Sequence, residues 1–146
     1  MNYKQSIESL LALLPRHISV AFAIHCCNDV KHLMNKESLY CLELVEKWLG
    51  NGANNDSATT NELIAAGHAS YAASAGYAAH AANAAAYAAR AGYAAGYAAN
   101  AAAYAANASY AAKHKEVKLK EYHDYLVNTI NDLTRLEKEL FNLTKV

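Results

Sequence analysis

The sequence predicts an all-α fold: a single-domain helical bundle with an Ala-rich, close-packed helical pair and a long amphipathic C-terminal helix. Three observations predict it. More than half of residues 62 to 112 are Ala, the strongest helix former. Val, Ile and Thr never alternate with polar residues over a length useful to a strand. Only one Pro occurs, at position 15, so little interrupts a helical pattern.

The elements follow in order along residues 1–146, read as one domain. Residues 1–50 hold the N-terminal helices. Over residues 2 to 14, Ile7, Leu10, Leu11 and Leu14 form a helical stripe, and Pro15 marks a boundary or a first helical turn. From His17 to Met34, the set Val20, Ala23, Ile24, Cys27, Val30 and Met34 again advances by helical steps. Asn35 is placed to cap the next helix, which runs through Leu39, Leu42, Val45 and Leu49 to a stop at Gly50-Asn51-Gly52. Residues 51–61 read as a linker of Gly, Asn, Asp and Ser. Thr59 and Glu62 then have the spacing of a capping box.

Residues 62–112 form the Ala/Tyr-rich part. As one straight helix it would extend about 75 Å at ~1.5 Å per residue, far beyond the radius of a domain this size. The expectation is therefore two helices folded back on each other, broken at Gly92 or Gly96, with Gly76 as the other candidate. A short duplication accompanies this: Gly76-Tyr77 recurs as Gly92-Tyr93, and Asn83-Ala-Ala-Ala-Tyr87 as Asn100-Ala-Ala-Ala-Tyr104. In residues 113–146, Leu119, Leu126, Leu133 and Leu140 fall every seven residues among Lys, Glu, Asp and Asn. That is one amphipathic helix, expected to pack along the Ala-rich helices, with a coiled-coil strip as the alternative.

Larger side chains in the Ala-rich part are ordered. His80, Asn83, Tyr87, Arg90, Tyr97, Asn100, Tyr104 and Asn107 are three, four or seven residues apart and share one helical stripe. Tyr and Arg offer contact area with few rotatable bonds, which suits binding. Tyr87, Arg90, Tyr97, Asn100, Tyr104 and Asn107 are therefore the candidate partner-binding residues. The alternative role is packing against the Leu-rich helices, with Asn and His solvated. No acidic residue lies between Glu62 and Glu116, so this face is mildly basic and suits an acidic patch on a partner.

Lys plus Arg and Asp plus Glu each number 13, which gives no general field for nucleic acid or an anionic membrane. Asn, His, Arg and Tyr interrupt the Ala-rich run, which argues against a membrane span. The start MNYKQSIESLLALLP lacks signal-peptide features, and Cys26, Cys27 and Cys41 show no metal-type pairing. A cytoplasmic protein with buried thiols is expected.

His25, Asp29 and His32 stand at i, i+4 and i+7, one helix face, and are the weak candidate for a metal site. Cys26 or Cys27 beside His25 suggests no nucleophile, because neighbours on a helix diverge. No nucleophile elbow, phosphate loop or zinc-protease motif occurs. The expectation is a protein without cofactor or enzymatic activity.

The order of a helix SVAFAIHCCNDVKHL, a shorter helix LELVEKWLGNG, and a run of the form AAxAAxYAAxAAxxAxYAA is similar to the alanine-rich all-α immunity proteins of bacterial polymorphic toxin systems. Trp48-Leu49-Gly50 matches the point where a Trp and a small turn precede that family's Ala-rich helices. The resemblance covers roughly residues 18 to 115. Where the family carries an acidic-Pro turn, this chain has His-Leu-Met-Asn-Lys-Glu over residues 32–37. The resemblance implies a non-enzymatic inhibitor that binds a cognate toxin domain in the cytoplasm. The competing expectations are a structural or self-associating module, homo-oligomeric through the C-terminal helix, and a metal-dependent protein built on His25, Asp29 and His32.

Overall fold

The computed structural model describes residues 2–52, 57–72, 77–109 and 115–145, and among them it contains helices and no strand. Among the described residues seven α-helices follow one another: α1 (Tyr3–Leu11), α2 (Arg16–Asp29), α3 (Lys36–Gly50), α4 (Ser57–Ala72), α5 (Tyr77–Ala88), α6 (Ala95–Ser109) and α7 (Lys115–Thr144). A 3₁₀ turn, Lys31–Leu33, separates α2 from α3.

Local chemistry sets the ends. The Gln5 amide donates to Asn2 Oδ1 at 3.1 Å to cap α1. The Ser38 amide donates to Asn35 Oδ1 at 2.9 Å to cap α3, as the sequence predicts. Pro15 immediately precedes α2. At the other end of α3, Gly52 takes φ 85°, a left-handed conformation that an L side chain resists, and stops the helix.

α5 and α6 form the centre of the bundle. α6 touches α1, α2, α5 and α7, and α5 touches α2, α3, α4 and α6. Eight alanines of α6 are buried (Ala98, Ala99, Ala101, Ala102, Ala103, Ala105, Ala106 and Ala108), leaving only one face of the helix open. Methyl groups let neighbouring backbones come close, so these contacts gain dispersion more than apolar area. Bulk comes from the surrounding helices: Ile7, Leu11, Phe22, Leu42, Val45, Leu63, Leu119 and Leu126 are all buried.

Two contacts fix how the hairpin seats. Gly92 lies in the turn between α5 and α6, against the indole of Trp48 on α3. A Cβ there would collide with Trp48 Cη2, lie 2.8 Å from Cζ2 and 3.1 Å from Arg16 Cδ. Ser70 on α4 is fully buried; its hydroxyl donates to the Ala82 carbonyl at 3.0 Å and lies 2.9 Å from Ser38 Oγ. One hydroxyl thus ties α3, α4 and α5 together.

The three thiols are free and buried. Burial pushes the Cys41 thiol up to about 12, and it raises Cys26 and Cys27 as well. Cys41 Sγ donates to the Ala85 carbonyl at 3.4 Å, as a small core side chain would.

Four expectations change. Among the described residues the Ala-rich part holds three helices, not two, because α4 runs into it from Ser57. The linker 51–61 is correspondingly shorter, and Thr59, expected as a cap, falls inside α4; its side chain lies outside those described. One break is the turn at residues 89–94 around Gly92, while Gly96 lies inside α6 and Gly76 lies outside the described residues. The helix expected over His17–Met34 ends at Asp29, where Val30 takes φ −117° and ψ 12° and is buried. Finally, α7 packs on the bundle over only part of its length. Leu119, Tyr122 and Leu126 are buried, while Leu133, Leu136, Leu140 and Leu143 are exposed. Among the described residues no helix is long and apolar enough to cross a membrane.

Candidate interaction site

Because eight of the 15 α6 residues are alanines buried in close contact with other helices, large side chains collect on the remaining face. Tyr97, Asn100, Tyr104 and Asn107 are each half-buried there. On α5, Asn83 and Tyr87 are half-buried, as is Arg90 in the turn that follows, while Ala81, Ala82, Ala84, Ala85 and Ala88 are buried. The hairpin turn brings both stripes to one side, so the single stripe of the sequence becomes a two-helix face.

Aromatic rings run across that face. Tyr87 stacks on Tyr104 with centroids 5.4 Å apart and planes 8° from parallel. Tyr97 also stacks on Tyr87 at 6.2 Å, and His80 lies 6.2 Å from Tyr104. The Tyr rings therefore pack on one another across the hairpin rather than only against Leu-rich helices. His80 Nδ1 is buried and has no hydrogen-bond partner among the described residues.

A cleft of about 300 Å³ opens beside the ladder, lined by Gly67 and His68 of α4, Asn83, Ala86 and Tyr87 of α5, Arg90 of the turn after it, and Tyr104 of α6. Gly67 faces α5 where the two helices cross: a Cβ there would lie in ordinary contact, 3.5 Å from the Ala86 carbonyl oxygen. No acidic residue lines the cleft, and among the described residues no carboxylate pairs with Arg90. The volume is at the small end for ligand pockets and suits one inserted side chain. A guanidinium fork beside an imidazole, an amide and two phenol rings favours a carboxylate.

Of the six candidate residues, Tyr87, Arg90 and Tyr104 meet in the cleft. Tyr97 joins through its stack on Tyr87, while Asn100 and Asn107 stay on the α6 stripe outside it. Sequence reasoning placed Asn83 on the stripe but omitted it from that set. It gave Gly67, His68 and Ala86 no part in this face; only the crossing of α4 on α5 adds them, and no periodicity within one helix carries that signal.

His25, Asp29 and His32 do not share a face, because α2 ends between them. His25 and Asp29 each have partners on α7. Asp29 Oδ2 accepts from Lys118 Nζ at 2.8 Å and from the Tyr122 hydroxyl at 3.0 Å. Burial works to raise the Asp29 carboxyl, but these two hydrogen bonds and the Lys118 charge hold it below the usual carboxylate range. The His25 ring stacks on Tyr125, centroids 3.5 Å apart and 4° from parallel. Burial lowers the His25 imidazole, against the opposing pull of Asp29. These contacts fasten α2 to α7, and among the described residues no group of three or more His, Cys, Asp or Glu is arranged to hold a metal ion.

Compared with family models, with curated proteins and with solved structures, the chain finds no match.

Proposed function

We propose that this chain is an immunity-type protein that binds and neutralises a cognate bacterial toxin domain without catalysing a reaction. The observation that carries the reading is the cleft at Tyr87, Arg90 and Tyr104. It combines stacked aromatic area with an Arg that no carboxylate of the described residues pairs, on a face without acidic residues. Such a site suits an Asp or Glu side chain presented by a protein partner. The order of helices around Trp48-Leu49-Gly50 and the Ala-Tyr run supports the same reading through its resemblance to the immunity proteins. Tyr97, Asn100 and Asn107 would extend the contact along α6.

The test is thermal melting with the purified toxin domain encoded beside this gene. Binding raises the melting temperature by mass action. Arg90→Ala should weaken the complex by roughly 2 kcal/mol, a hot-spot loss of about thirtyfold, while the free protein melts as before. A toxin domain that leaves the melting temperature unchanged overturns the proposal. An Arg90→Ala variant that binds as tightly as the original removes the cleft from it.

A further inference from the structure

The heptad stripe of α7 starts inside the bundle and continues beyond it. Leu119, Tyr122 and Leu126 are 2%, 2% and 1% exposed, whereas Leu133, Leu136, Leu140 and Leu143 are 39%, 48%, 63% and 73% exposed. All seven belong to one a/d stripe, so the exposed leucines carry on the face that the bundle covers lower down. Exposed leucines at i, i+3, i+7 and i+10 are the anchor pattern of a helix that lies in an apolar groove.

Charge says what kind of groove. Asp132, Glu137 and Glu139 take the g, e and g positions bordering the leucines, and Arg135 and Lys138 take the c and f positions on the far side. Asp132 has only a long, exposed contact with Arg135, 3.9 Å away, which leaves its charge open to a partner. A second copy of the chain would bring the same acidic borders. In a parallel pair, Asp132 of one copy faces Glu137 of the other. In an antiparallel pair, g meets g and e meets e, which is again acid against acid.

We propose that the projecting half of α7 is a docking helix, whose leucine stripe seats in an apolar groove rimmed by Lys or Arg on a different protein. This interaction surface is separate from the α5–α6 cleft and stands whether or not that cleft binds a toxin.

The full chain is titrated against two fluorescent helical peptides of about three heptads, alike in apolar a and d positions. One carries Lys at every e and g position; the other carries Glu. The expected result is binding of the Lys peptide at least about tenfold tighter than the Glu peptide, weakened by added salt. Leu133→Ser combined with Leu140→Ser should abolish it without altering the helical melt, because both side chains lie outside the core. Sedimentation at high concentration should show a monomer. Equal affinity for both peptides, binding to neither, survival of binding in the double variant, or a dimer that the double variant dissolves would each overturn the proposal.

Discussion

Replacing Gly92 with Ala is the sharpest test of how the Ala-rich hairpin is held. In open space, with φ outside the left-handed region, Gly→Ala stabilises a protein by about 0.4–1 kcal/mol through the unfolded chain. At Gly92 the new methyl would collide with Trp48 Cη2, lie 2.8 Å from Cζ2 and 3.1 Å from Arg16 Cδ. Trp48 is 4% exposed, so its ring has little room to retreat. Overpacking of this kind costs about 1–3 kcal/mol, and the net expectation is a loss of about 2 kcal/mol. For a chain of this length that lowers the melting temperature by about 4–8 °C. Urea unfolding followed by circular dichroism measures it, and the sole Trp of the chain supplies a fluorescence signal at the contact. The same substitution in a Trp48→Phe background should cost less than half as much, because the outer atoms of the indole are gone. A Gly92→Ala protein as stable as the original, or a penalty unchanged by Trp48→Phe, would refute the claim that the indole sets this turn.

Three further outcomes follow from the polar contacts. Ser70→Ala should cost about 1–3 kcal/mol in urea unfolding by leaving buried groups unpaired, and Ser38→Ala added to it should cost less than the sum, as a double-mutant cycle shows. Asp29→Asn should destabilise by about 1 kcal/mol at neutral pH, discounted for a side chain that is 39% exposed. Because the fold holds this carboxyl below its unfolded value, its contribution is full above about pH 4 and is lost as the pH falls through the folded pKa, so the two proteins should converge in acid melts. His25 is also held low in the fold, so wild-type stability should begin to decline below about pH 6.5, and His25→Phe, which keeps a ring on Tyr125, should be flat in that window.

Helix existence was legible because it depends on local properties. Asn35 capping α3, the stop at Gly50-Asn51-Gly52 and the long C-terminal helix all follow from residues close in sequence. What depended on distant partners was not. The α2 pattern runs to Met34 in the sequence, yet the chain turns after Asp29 so that Val30 can be buried, and this separates His32 from His25 and Asp29. The stripe of Tyr, Asn and Arg was visible as a period, but periodicity within one helix cannot show that Tyr87 would lie on Tyr104 or that His68 would close the cleft. Leu133 and Leu126 are equivalent in the heptad; only the end of the bundle distinguishes a core residue from an exposed one.

Packing also limits what the open face must contain. Ala side chains bury little area, so α5 and α6 gain stability from close contact on nearly every side, with bulk supplied by neighbours such as Phe22, Leu42 and Leu126. A large residue on α6 can therefore stand only where no helix approaches, which is the edge holding Tyr97, Asn100, Tyr104 and Asn107. Geometry selects the positions but not the chemistry. Leu or Lys would meet the same steric rule, and an acidic residue would serve solubility as well. The face instead carries aromatic rings, amides and one Arg, with no carboxylate between Glu62 and Glu116. Since close packing leaves that choice open, the composition of the face is what the proposed binding role rests on, with an acidic partner side chain as the chemistry it would suit.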